Sequence, residues 1–123
     1  MSPASPGRPR TPLAGVRVID LGQYIAGPGA AMTLAELGAS VTKIEPLAGD
    51  QARQIGRYGE SMVRAYNRGK RSIALDLKSA AGQEVAWRLI AGSDVVIQNL
   101  RPGVVDKLGL GPAEGRRRDP RVI

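Results

Sequence analysis

Two clusters of polar and basic side chains lie beside apolar runs in this sequence, and both have the chemistry to hold a phosphate-bearing ligand. The first is the run NRGKRSIALDLK over 67–78, where Arg68, Lys70 and Arg71 precede a stretch with strand character. Cations at a strand start meet phosphate through charge-assisted hydrogen bonds, although the same three side chains serve equally well as a solvated surface. The second is the run NLRPG over 99–103, which follows the apolar residues 95–97. Asn99 can bond an amide or ribose group and Leu100 can pack on a flat base; a plain strand-to-helix corner is the competing reading.

The chain has no cysteine and no histidine. A disulfide framework, a thiolate metal site and the commonest general base are therefore absent, so no metal centre is expected. Any catalysis would rest on carboxylates, lysines, tyrosines or hydroxyls. Among the acids, Asp20 reads as structural at a strand end, Glu36 falls on a helix, and Asp76 and Asp94 lie at strand margins. Their positions give no reason to pair them as acid and base.

The formal net charge is +7, with basic residues grouped at Arg8 and Arg10, over 64–71, and at Arg116, Arg117, Arg118 and Arg121. Such a balance suits nucleic acid, a membrane surface or an anionic small ligand. Aromatic residues make up 3% of the chain and phenylalanine is missing, so the stacking platforms of single-strand binders are scarce and a basic nucleic-acid-binding module is the minor alternative. No run approaches the roughly 18 apolar residues of a membrane span, and a cytoplasmic protein is the expectation.

The elements that must position these groups follow from periodicity. Residues 1–12 carry four prolines and two arginines and are expected to form a disordered tail. Residues 16–20 read as a buried strand between Gly15 and Gly22. Gly27 and Pro28 suit a helix cap and first position, and Gly38 a left-handed helix end. Residues 40–45 alternate and stop at Pro46, giving a βαβ unit with parallel strands. The glycine-interrupted stretch 46–69 predicts an irregular connection with one short helix over 61–67. A third strand over 72–77, a helix capped by Ser79, a fourth strand over 94–98, and short helices from Pro102 and Pro112 complete an α/β pattern. Residues 121–123 read as the start of a fifth strand, so 13–123 is expected to be a partial domain, truncated at its carboxyl end. Gly22, Gly27 and Gly29 do not form the dinucleotide-binding G-x-G-x-x-G, and Gly69-Lys70 lacks the remainder of a Walker A loop.

Five blocks in order, LAGVRVIDLG over 13–22, AGPG over 26–29, ELGASVTKIEP over 36–46, NRGKRSIALDLK over 67–78 and NLRPG over 99–103, resemble the amino-terminal portion of a family III CoA-transferase. The resemblance implies a Rossmann-like parallel sheet, an acyl-CoA and a carboxylic acid acceptor as partners, and an interlocked homodimer. No cofactor is implied beyond coenzyme A as substrate carrier. It further implies transfer through an aspartyl anhydride and thioester, with the catalytic aspartate beyond residue 123, so that this chain alone is inactive. Carried over by position, the CoA contacts fall on Ile25, Ala26, Leu75, Asp76, Leu77, Lys78, Asn99, Leu100, Arg101 and Lys107. Lys107 replaces a family arginine and lacks its bidentate fork. Ile25 stands where formyl-CoA transferases have glutamine, and Pro46 where they have arginine, which points away from formate and oxalate as the substrate pair. α-Methylacyl-CoA racemases are similar over the same region and differ in downstream proton-transfer residues.

Overall fold

The computed structural model describes residues 11–123; the expected tail falls outside the described residues except for Thr11 and Pro12. Four strands, β1 (Arg17–Asp20), β2 (Ser40–Glu45), β3 (Arg71–Ala74) and β4 (Val95–Ile97), form one sheet in the order β3-β2-β1-β4. All three pairings are parallel. Helices α1 (Ala26–Glu36), α2 (Gly56–Tyr66) and α3 (Ala80–Ala91) lie between successive strands, and α4 (Val104–Lys107) and α5 (Pro112–Arg118) follow β4. The α/β reading of the sequence therefore holds.

Both faces of the sheet are covered. Val18 and Val41 pack with Ala31 and Ala39 on one face, joined by Leu34 and Ala35 of α1. Ile19, Leu21 and Ile44 pack with Ala86 and Ile90 of α3 and Val105 of α4 on the other. Alternation along a strand sends successive side chains to opposite faces. Asp20, two residues past Val18, and Lys43, two past Val41, therefore lie on the α1 side. They also stand directly opposite each other in the β1–β2 register.

Three local expectations need correcting. Helix α1 begins at Ala26, with Ile25 as its cap and no side-chain cap bond, instead of at Pro28. Proline is tolerated there because amides of the first helical turn have no intrahelical partner. The stretch 46–69 is more regular than its glycines suggested: a 3₁₀ turn (Gln51–Gln54) leads into the 11-residue α2. Gly59 is a contact point in that helix, since a Cβ there would lie 1.8 Å from the Ala52 carbonyl oxygen. Helix α4 starts at Val104 behind the left-handed Gly103, two residues later than its proline implied.

Other signals are realised as read. Ser79 accepts a hydrogen bond from the Gly82 amide at the head of α3, and Gly38 has φ +103° just beyond α1. At the far edge of β4, Val96 N donates to Ile123 O and Ile123 N donates to Asp94 O, at 2.9 and 3.1 Å. Residue 123 thus makes the ladder bonds of a fifth parallel strand.

Candidate functional site

In an open parallel sheet, ligands bind outside the carboxyl ends of the strands, where the strand order reverses. Here the chain runs outward from β1 through β2 to β3 and then returns to β4 on the other side of β1. The reversal lies between β1 and β4, and the loops that leave them, 21–25 and 98–103, meet there.

Hydrogen bonds from side chains tie these loops together. The β1–β4 ladder continues past the strands through Leu21 N to Ile97 O at 2.8 Å. One step further, Asn99 Oδ1 accepts from Gln23 N at 2.8 Å while Asn99 Nδ2 donates to Gln23 O at 2.9 Å. Both ends of the Asn99 amide are thus engaged with one backbone residue, and what Asn99 offers a ligand is its main chain. Tyr24 follows with φ +63°, the one non-glycine residue at positive φ among the described residues. Its amide donates to Asp50 Oδ1 at 3.1 Å and its hydroxyl to Gln51 Oε1 at 2.9 Å.

Beneath the loop lies a buried quartet of charges. Lys70 Nζ donates to Asp20 Oδ2, Pro28 O and Asn67 Oδ1 at 2.8, 2.8 and 2.9 Å. Lys43 Nζ donates to Gly22 O at 2.8 Å and sits 3.8 Å from Asp20 and 3.0 Å from Asp50. The Lys43–Asp50 contact lies outside hydrogen-bond geometry, so Asp50 Oδ2 is charge-paired yet unbonded. The Lys43, Lys70, Asp20 and Asp50 side chains are at most 3% exposed. Burial lowers the Lys70 pKa below its ordinary 10.5, with Asp20 opposing.

Burial alone would raise the Asp50 pKa, but amide bonds from Ala52 and Tyr24, together with Lys43, outweigh it and hold the carboxyl below its ordinary 3.8. A depressed carboxylate contributes stability that is complete above the unfolded value and lost as pH falls through the folded one. Asp50→Asn is therefore expected to flatten the acid limb of stability. The check is a comparison of urea midpoints between about pH 7 and pH 3; parallel acid limbs for variant and wild type would show that Asp50 carries no such linkage.

This arrangement corrects Lys70 in the first cation cluster, which is an interior anchor closed to a ligand. Arg68 pairs with Glu36 at 3.1 Å and Arg71 donates to Ser40 Oγ at 3.0 Å, and both remain exposed. The sequence reading missed Lys43 and Asp50 altogether, although the alternation of β2 carried a signal by placing Lys43 on the same face as the buried Val41.

A cleft of about 350 Å³ opens along the carboxyl edge, within the usual size of small-ligand sites. It gathers Leu75, Asp76, Leu77, Lys78 and Leu100 with Leu21, Ile44, Pro46 and residues of α4. Leu77 is buried, Leu75 and Leu100 are half-buried, and Asp76 and Lys78 are exposed at the rim. Asp76 Oδ1 accepts from Lys78 N at 3.1 Å, which fixes the turn. Ile25, Ala26, Arg101 and Lys107 are exposed and do not line the cleft. Among the described residues Lys78, Arg101 and Lys107 have no ion-pair partner, no cluster of metal-binding side chains occurs, and no helix is long and apolar enough to cross a membrane.

Residues 13–123 match CoA-transferase family III. The probable fatty acyl-CoA transferase Rv3272 of Mycobacterium tuberculosis is 42% identical over 94% of this chain and 31% of its own length. The succinyl-CoA–L-malate CoA-transferase alpha subunit of Chloroflexus aurantiacus is 40% identical over 89% of this chain and 27% of its own length. A crystal structure of Rv3272 superposes with a TM-score of 0.87 at 42% identity, covering 94% of this chain and 33% of that one. A CAIB/BAIF family protein from Brucella suis gives 0.86 at 40% identity, covering 93% and 32%. The chain thus spans about a third of the length of the relatives it matches.

Proposed function

Since the chain belongs to CoA-transferase family III, we propose that it forms the CoA-holding portion of an acyl-CoA:carboxylate CoA-transferase. The observation that carries this reading is the apolar cleft at the carboxyl edge with unpaired cations nearby. Leu75, Leu77 and Leu100 offer a surface for the apolar parts of the carrier. Lys78, Arg101 and Lys107 supply positive charge for its phosphates, and Ile25 and Ala26 face the acyl end from the head of α1.

In this reading, as the family resemblance implies, the nucleophile is an aspartate outside these 123 residues; the buried acids here are already committed. Asp20 and Asp50 belong to the charge quartet and Glu45 is held by Arg53 at 2.8 Å. The aspartate carboxylate attacks the thioester carbonyl, the C–S bond breaks, and CoA leaves as thiolate from a mixed anhydride. The thiolate then attacks the aspartyl carbonyl, releasing the donor acid and leaving an enzyme thioester. An acceptor carboxylate runs the same steps backward and departs as its CoA ester. The covalent route divides one difficult exchange into easier ones. The working unit of the longer protein is a homodimer.

Calorimetric titration with CoA tests the reading. The chain is expected to bind CoA without catalysing acyl exchange, and the double variant Arg101→Ala/Lys107→Ala to bind it about tenfold more weakly through lost charge-assisted bonds. Acyl exchange by the 123-residue chain, or the absence of CoA binding, would refute it.

A further inference from the structure

We propose that Asn99 and Asp50 are positioning residues that hold the loop 21–25 in its ligand-ready shape. The inference rests on the CoA reading above and deepens it. Asn99 completes a two-bond pair with the backbone of Gln23, at 2.8 and 2.9 Å, across 76 residues of sequence. Its side chain acts there as a substitute strand neighbour, carrying the β1–β4 ladder one step beyond Leu21. Asp50 Oδ1 receives the next amide, that of Tyr24, at 3.1 Å, and that of Ala52 at 2.9 Å. Between the two anchors Tyr24 sits at φ +63°, a left-handed conformation that a bulky side chain adopts only when its surroundings over-determine it.

The packing leaves the clamp little freedom. A Cβ on Gly27 would lie 2.8 Å from Asn99 Oδ1, and a Cβ on Gly22 would lie 2.8 Å from Asp20 Oδ1. The backbone of α1's first turn thus fits directly against the Asn99 amide. Loops from β1, β2 and β4 are joined by two side chains at the point where the strand order reverses. Held this way, the main chain at Ile25 and Ala26 is fixed in advance of binding, which spares a ligand the ordering cost of a mobile loop. Asn99 therefore acts on the ligand through Gln23 and Tyr24.

Three measurements on Asn99 variants test the proposal. In Asn99→Ala, amide hydrogen exchange at Gln23 and Tyr24 is expected to accelerate in the free protein while β1–β2 amides stay as in wild type and the thermal midpoint falls by only a few degrees. CoA affinity is expected to fall about tenfold, the scale of a lost pair of hydrogen bonds. Asn99→Asp keeps the acceptor for Gln23 N but turns a second oxygen toward Gln23 O. Only the protonated acid can donate there, so its affinity relative to wild type is expected to recover as pH falls from about 6 to about 3, through the ordinary carboxylate range. Asp20, Lys43, Asp50 and Lys70, the other titratable groups around the loop, are common to both proteins and cancel in that ratio.

Weaker CoA binding with unchanged exchange at Gln23 and Tyr24 would overturn positioning in favour of direct contact. Wild-type affinity in Asn99→Ala, or a pH-independent deficit in Asn99→Asp, would overturn it as well. If the wild-type protein itself takes up no CoA, the underlying reading fails and this inference with it.

Discussion

Replacing Lys70 by methionine is expected to lower the unfolding free energy by about 3–5 kcal/mol, the usual consequence of removing one partner from a buried ion pair. Lys70 is 2% exposed at its side chain and Asp20 is 0% exposed, so solvent cannot take over the lost contact. Lys43 is the remaining cation near Asp20, but at 3.8 Å it is too far for a hydrogen bond and is already engaged with Asp50 and Gly22. Methionine also leaves the Asn67 side-chain oxygen without its donor and removes the second donor to the Pro28 carbonyl, which keeps its bond within α1. Arginine should not rescue the loss. Three acceptors surround one nitrogen, which suits the three donors of an ammonium group, whereas a planar guanidinium spreads its donors over a fork. Urea unfolding of Lys70→Met and Lys70→Arg decides the matter: wild-type stability in either would show that the charge can be relocated and the anchor dispensed with.

Ile44→Ala is expected to cost about 2–3 kcal/mol and to weaken CoA binding at the same time. Ile44 is 2% exposed in the cluster with Ile19, Leu21 and Leu77, and it also forms part of the wall of the carboxyl-edge cleft. Large-to-small changes of this kind cost about 2–5 kcal/mol, more when the void stays closed. Here the void would join an existing cleft that solvent can enter, which favours the lower half of that range. A loss under about 1 kcal/mol in urea unfolding would mean that the cleft wall is not part of the working core.

These two residues also mark what the sequence made legible. Ile44 could be placed from local pattern alone: it alternates with polar neighbours, is followed by a proline, and falls on a strand between helices. The same local logic located every strand to within a few residues. The role of Lys70 could not be read that way. Its partner Asp20 is 50 residues away and its surroundings depend on how α1 crosses the sheet, so a basic run before a strand reads equally as a phosphate site or as surface, and neither is an interior anchor. Asn99 suffered similarly, since an asparagine after a strand fits ligand binding, a turn or a clamp equally well until Gln23 is seen beside it. Gly59 shows the reverse error. A glycine within a weak helical pattern reads as an interruption, although tight packing against Ala52 is what requires it.

The quartet of Asp20, Lys43, Asp50 and Lys70 holds two charges of each sign, so the formal +7 of the chain is carried wholly by other residues. Lys78, Arg101 and Lys107 stand in water near the edge of the sheet, where mobile ions attenuate a field within roughly 8 Å at physiological ionic strength. The interior four lie beyond the reach of those ions. Raising the electrolyte concentration should therefore slacken the capture of anions while the cohesion of the scaffold stays as it was.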